Sequence, residues 1–123
     1  MLKNILLVGL GGFAGSIGRY LVYAWLEKGK SLPFATLTVN LAGSLILGIF
    51  LGYYLSRGSE PNNMRLLIAV GFCGSFTTFS TLAFELWDML ADNHVQQVIF
   101  YLLTSLILGL FLIFAGIEIG KML

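Results

Sequence analysis

Residues 71–81 read Gly71-Phe72-Cys73-Gly74-Ser75-Phe76-Thr77-Thr78-Phe79-Ser80-Thr81. Two glycines and five hydroxyl residues in eleven positions make a poor continuous α-helix. Yet the stretch lies inside an apolar segment, about residues 66–90, whose first charge is Glu85. At membrane depth, irregular backbone survives only when buried in protein or facing a wet cavity. The composition therefore predicts a membrane helix broken near Gly74–Thr77. Carbonyls freed there suit a cation, and freed amides at a half-helix N-terminus suit an anion. A plainer reading of the same residues is a kink whose hydroxyls bond back to their own backbone.

Three further segments are long enough to cross a bilayer, which takes roughly 20 apolar residues. They run about 4–26, 32–56 and 95–117; the first holds one charge, Arg19, and the other two hold none. The expected fold is an all-α membrane protein, one integral-membrane domain of four transmembrane helices with a break in the third. Lys3 ahead of an apolar run resembles a signal peptide, but the run exceeds the ~7–15 residues of an h-region. No strand-like alternation points to a β-barrel.

The composition of the whole 123-residue chain agrees. Hydrophobic residues make up 58% and charged residues 11%, and the mean hydropathy is +0.91. Such a chain is neither a soluble enzyme, nor a disordered tail, nor a basic nucleic-acid binder. The single cysteine, Cys73, excludes an intrachain disulfide and a cysteine-built metal site. No cluster of His, Asp, Cys or Lys offers enzyme chemistry. The charges gather in the connections: Glu27, Lys28 and Lys30; Arg57, Glu60 and Arg65; Asp88 and Asp92.

With four spans both termini share one side, with Lys3, Arg57, Arg65 and Lys121; Lys28 and Lys30 face the other, with Arg19 if it is counted. This near balance weakens the positive-inside signal and permits insertion either way. Two copies in opposite orientations can then pair about an axis in the membrane plane. Gly11 and Gly15, Gly48 and Gly52, and Gly116 and Gly120 are four apart, the spacing that lets helix backbones approach closely in lipid.

Polar side chains inside the spans are the candidate site. Thr36, Asn40 and Ser44 form a line at i, i+4 and i+8 on the second helix, and Tyr101 and Ser105 form a shorter one on the fourth. Phe72, Phe76 and Phe79 fall at i, i+4 and i+7, and the positive edges of phenyl rings can hold a small anion. Asn40 is either a packing hydrogen bond or part of a polar path. Arg19, near the end of its span, either snorkels or draws anions. Glu85 is either a proton carrier, or a residue that reaches the interface or caps a neighbouring group.

The chain resembles the Fluc (CrcB) family of bacterial fluoride channels. The motifs are Gly11-Gly12-Phe13-Ala14-Gly15-Ser16-Ile17-Gly18-Arg19-Tyr20, Thr38-Val39-Asn40-Leu41-Ala42-Gly43, and the 71–81 stretch followed by Glu85. The resemblance implies an antiparallel dual-topology dimer in the bacterial inner membrane. Two narrow fluoride routes would run along its subunit interface, letting F⁻ leave the cell passively and relieving its toxicity. It implies a structural Na⁺ on the two-fold axis, held by the backbone carbonyls of Gly74 and Thr77. It also implies a fluoride path through Asn40, Phe79, Tyr101 and Ser105, with Ser80 and Thr81 alongside and Arg19 as the first-helix arginine. The partners implied are fluoride, membrane lipid and a second subunit.

Two positions depart from the family pattern. Leu82 stands where a second pore phenylalanine is usual, and the fourth-helix polar line stops at Gly109 and Ile113. Either the second subunit is a paralogue that completes one route, or a homodimer tolerates Leu82. The rival class is a small multidrug-type proton-coupled antiporter. That chemistry needs a carboxylate deep in a span, and only Glu85 qualifies.

Overall fold

Glycine decides which helices touch. The computed structural model describes residues 1–26, 33–58 and 62–123. Its helices are α1 (Leu2–Leu26), α2 (Phe34–Ser56), α3 (residues 62–76), α4 (Phe79–Ala91) and α5 (Val95–Met122). α3 and α4 together make the third span, Asn62–Ala91, and four spans in all are long and apolar enough to cross a membrane. Among the described residues there is no strand, and the chain is a multi-pass membrane protein. Glu27, Lys28, Lys30 and Glu60, together with Leu32 at the expected start of the second span, lie outside the described residues.

α2 packs chiefly on α5, and α1 on α3. In the first seam Gly48 and Gly52 face Gly116 and Gly120. A Cβ at Gly48 would come 2.5 Å from the Ile113 carbonyl oxygen, and one at Gly116 would come 2.7 Å from that of Leu45. In the second seam, Gly11 and Gly15 lie against α3. A Cβ at Gly11 would come 2.9 Å from the Phe72 nitrogen, and one at Gly71 would come 2.8 Å from the Val8 oxygen. Lipid tails supply no hydrophobic drive between helices, so backbone-to-backbone van der Waals contact holds both pairs together.

α3 is unusual before it ends. Arg65–Cys73 follow the wider π-helical turn and only Gly74–Phe76 return to α geometry. Thr77 (ψ 160°) and Thr78 (φ −151°, ψ 119°) are then fully extended, and α4 starts at Phe79. The third span is therefore broken at the hydroxyl-rich stretch.

α5 runs 28 residues, about 42 Å at 1.5 Å per residue. That exceeds the ~30 Å hydrocarbon core, so its end reaches the headgroup layer, where Glu118 and Lys121 pair at 2.7 Å. Arg57, just past α2, lies 4.1 Å over the Tyr53 ring and donates to the Leu123 carbonyl at 3.2 Å. This contact ties the ends of α2 and α5 on one membrane face.

Crowding at the seams makes a paired prediction. Gly52→Ala drives a methyl into the Ile117 backbone, whose carbonyl carbon and Cα lie 2.8 Å away. It should cost about 1–3 kcal/mol, the usual penalty of overpacking. Gly9→Ala meets nothing within 4 Å and should be neutral or stabilising by up to ~1 kcal/mol through helix propensity. Thermal unfolding in detergent micelles compares the two; equal effects would remove the seam argument.

Candidate functional site

The break exposes backbone groups that a helix would have paired, and several of them have a replacement. Thr77 turns both its backbone N–H (3.0 Å) and its hydroxyl (2.9 Å) onto the Cys73 carbonyl, closing the first half. Thr78 caps the second half: its Oγ1 accepts from the Thr81 N–H at 3.2 Å and its hydroxyl lies 3.1 Å from Thr81 Oγ1. Hydroxyl N-caps of this kind satisfy donors left over at a helix start.

The central replacement comes from α2. The Asn40 amide donates from Nδ2 to the Thr78 carbonyl at 3.1 Å and accepts the Thr78 N–H on Oδ1 at 2.7 Å. The side chain thus pairs with an extended backbone unit from both sides, as a neighbouring strand would. Gly43, one turn along α2, lets the Thr77 methyl lie against the helix; a Cβ there would also come 3.4 Å from Phe76.

These substitutions redirect two donors. In an unbroken helix the Thr78 N–H would reach the Gly74 carbonyl, and the Thr81 N–H would reach that of Thr77. Here the first goes to Asn40 and the second to the Thr78 hydroxyl. Gly74 and Thr77 therefore lose their helical donors, and both line an open hollow of about 350 Å³ with Asn40, Ser44, Phe79 and Leu82.

A second cluster sits one turn further along α4. Glu85 Oε1 accepts from the Thr36 hydroxyl, and Oε2 accepts from the Tyr101 hydroxyl at 2.7 Å. The Tyr23 hydroxyl meets Thr36 Oγ1 from the α1 side. Thr36 is fully buried and Tyr101 nearly so. Glu85 thus caps neighbouring groups, gathering hydroxyls from two other helices. Arg19 lines a different hollow of about 340 Å³, with Ser16, Tyr20, Tyr23 and Thr81.

Several expected groupings come out differently. Phe72 and Phe76 stack, with centroids 5.3 Å apart, but Phe79 does not continue their stripe. The two extended residues re-aim the chain, and Phe79 is left 79% exposed on α4. The Thr36–Asn40–Ser44 line also does not act as one face: Thr36 goes to Glu85, Asn40 to Thr78, and Ser44 back to the Asn40 carbonyl at 2.8 Å. Ser105 bonds back to the Tyr101 carbonyl at 2.8 Å. Ser80 lies within 3.3 Å of the Thr78 hydroxyl. Tyr101 borders a third hollow, of about 270 Å³, with Phe34 and Phe100. The chain thus brings Asn40, Gly74, Thr77 and Phe79 to one place, and Arg19 with Thr81 to another.

Thr36 and Glu85 carried a sequence signal, since a carboxylate inside a span needs donors. Tyr23 carried none, because helix pairing alone decides that it faces Thr36.

The Asn40 pair yields a test at single-residue resolution. Asn40→Ala should speed hydrogen exchange at the Thr78 amide by about tenfold or more, the cost of a buried hydrogen bond. Asn40→Asp keeps the acceptor but loses the donor, so Thr78 should stay protected while its carbonyl is orphaned. NMR exchange rates in micelles check both variants.

Residues 6–117 match the family model described as CrcB-like protein, Camphor Resistance (CrcB). The chain is 42% identical to a protein of Chlorobaculum tepidum named fluoride-specific ion channel FluC, covering 99% of this chain and 98% of that one. A protein of the same name from Chlorobium chlorochromatii is 44% identical over 93% and 89% of the two chains. Another, from Hahella chejuensis, is 38% identical over 98% and 96%. The chain belongs to the CrcB-like family.

Proposed function

We propose that this member of the CrcB-like family is a fluoride-specific channel of the bacterial inner membrane. It lets cytoplasmic F⁻ leave passively down its electrochemical gradient, which relieves fluoride toxicity. What carries the reading is full-length similarity to proteins named for that activity. The broken third span, with the hydroxyls of Thr78, Ser80 and Thr81 beside the Asn40 amide, gives the chemistry. Fluoride is small and strongly hydrated. A site must offer close donors to replace its water, and must bind weakly enough to release it.

The working unit is an antiparallel pair of subunits, identical or paralogous. The near-balanced loop charges and the exposed aromatic side chains of α4, Phe79, Phe84 and Trp87, support it. Each fluoride route is lined by Asn40, Phe79, Ser80, Thr81, Tyr101 and Ser105, with Arg19 drawing anions toward its mouth. Phe79, turned away from its own bundle, presents its ring edge to the anion. Leu82 is 6% exposed and packs inward, so its departure from the family pattern alters the wall behind the ring.

The Gly74 and Thr77 carbonyls are the groups that would hold a structural Na⁺. Hard oxygen donors that have lost their helical partners fit such an ion. When bound, it would supply a fixed positive charge that lowers the cost of an anion at low dielectric. The chain's own part is to hold the two carbonyls in place, through Asn40 on Thr78 and Thr78 on Thr81.

Liposomes holding the purified chain test the function. A fluoride electrode should record rapid F⁻ efflux, with chloride efflux far slower. Proton-driven drug uptake without F⁻ efflux would instead identify an antiporter built on Glu85. Efflux only after a paralogous subunit is co-expressed would identify a heterodimer. Asn40→Asp, which places a negative charge beside the break, should abolish F⁻ flux. Replacing Na⁺ with N-methylglucamine should lower the melting temperature of the purified dimer, and addition of Na⁺ should restore it.

A further inference from the structure

The Tyr23 hydroxyl has no part in the pathway proposed above, yet it stands at the head of a hydrogen-bond relay ending on Glu85. The direction of that relay follows from counting hydrogens. Thr36 is 0% exposed, and its hydroxyl carries a single hydrogen. That hydrogen is donated to Glu85 Oε1. With Glu85 ionised, its oxygens only accept, so the contact between Tyr23 and Thr36 Oγ1 runs from the tyrosine to the threonine. Tyr101 closes the other side by donating to Oε2 at 2.7 Å. Hydroxyls of α2 and α5 thus meet the carboxylate of α4 directly, and that of α1 reaches it through Thr36.

We infer that Tyr23 is a positioning residue for the Glu85 carboxylate: by filling the acceptor of Thr36 from α1, it commits the only Thr36 hydroxyl hydrogen to Glu85 and holds the carboxylate between α2 and α5. Its consequence for transport rests on the fluoride-channel reading. Chained hydrogen bonds polarise one another, so a threonine hydroxyl that accepts from Tyr23 is a stronger donor to Glu85. Without the tyrosine hydroxyl, a fully buried acceptor loses this donor and the Thr36 hydrogen is free to turn elsewhere. Glu85 lies four residues after Thr81 and shares its face of α4. A carboxylate loosened there is a mobile negative charge beside the anion route, and it repels the permeating ion. Arg19 borders the same hollow as Tyr23 and Thr81, so the loosened group would also be drawn toward the cation at the mouth.

The test uses Tyr23→Phe, which keeps the ring and removes only the hydroxyl. Infrared spectra of the reconstituted protein resolve the Glu85 carboxylate stretch, assigned by difference against Glu85→Gln. Tyr23→Phe should shift that band and slow fluoride efflux by about 2- to 10-fold, the weight of one hydrogen bond. In a Thr36→Val background the same change should have no further effect, because the tyrosine acts through the threonine. Tyr54→Phe, on the far end of α2, should leave band and efflux unchanged. An unmoved Glu85 band in Tyr23→Phe overturns the proposal whatever the flux does. So does a shift of equal size in the Thr36→Val background. A shifted band in a protein that carries no fluoride leaves Tyr23 as the positioning residue and removes the channel reading instead.

Discussion

A single asparagine amide holds the third span open. Interrupting a helix inside a bilayer strands peptide groups where no water can reach them, and each costs several kcal/mol if left alone. Asn40 meets both polar groups of Thr78 at once, with a donor and an acceptor spaced like those of a peptide. An aspartate offers only acceptors and a serine is too short to bridge the pair. Because Thr78 is held extended, its hydroxyl is placed to cap α4 and Thr77 is placed to close α3. The break is therefore a defined structure with its polar groups largely re-paired.

That arrangement needs a rigid surround, which the glycine seams supply. α2 carries Asn40 and is locked to α5 through Gly48, Gly52, Gly116 and Gly120; α3 is locked to α1 through Gly11, Gly15 and Gly71. Asn40 and its target thus arrive on two separately braced helix pairs. Gly43 is the notch between them, since any side chain there would push Thr77 away from α2. The close contacts serve position as much as stability. A shift of a few tenths of an ångström at either seam would misalign two hydrogen bonds with narrow geometric limits.

Four spans, a broken third helix and small-residue contacts are legible in the sequence because they follow from local composition. Length and apolarity make a span, glycines and hydroxyls weaken a helix, and glycines four apart allow close approach. What the sequence hides is the pairing of helices. The Phe72–Phe76–Phe79 stripe assumes one continuous helix, and two extended residues undo it. The Thr36–Asn40–Ser44 line assumes a shared face with a shared purpose, but three different neighbours divide it. The bidentate grip of Asn40, the gathering of hydroxyls on Glu85 and the place of Tyr23 all depend on contacts between residues far apart in the chain. No spacing rule along one helix encodes them.

The occupancy of the hydroxyls bears on how a small anion would cross. Tyr101 is engaged with Glu85, Ser105 and Ser44 with their own helices, and Thr78 with Thr81. No buried side-chain oxygen or nitrogen among the described residues lacks a partner. In the proposed channel, a fluoride that draws on one of these hydroxyls must therefore exchange donors. Each exchange swaps a hydrogen bond within the protein for a charge-assisted one to the anion, which is stronger, and leaves behind an acceptor that had been satisfied. The two effects oppose each other, so net binding at any one position is shallow. Shallow binding at several successive positions is what conduction demands, since an ion held tightly at one of them would not leave.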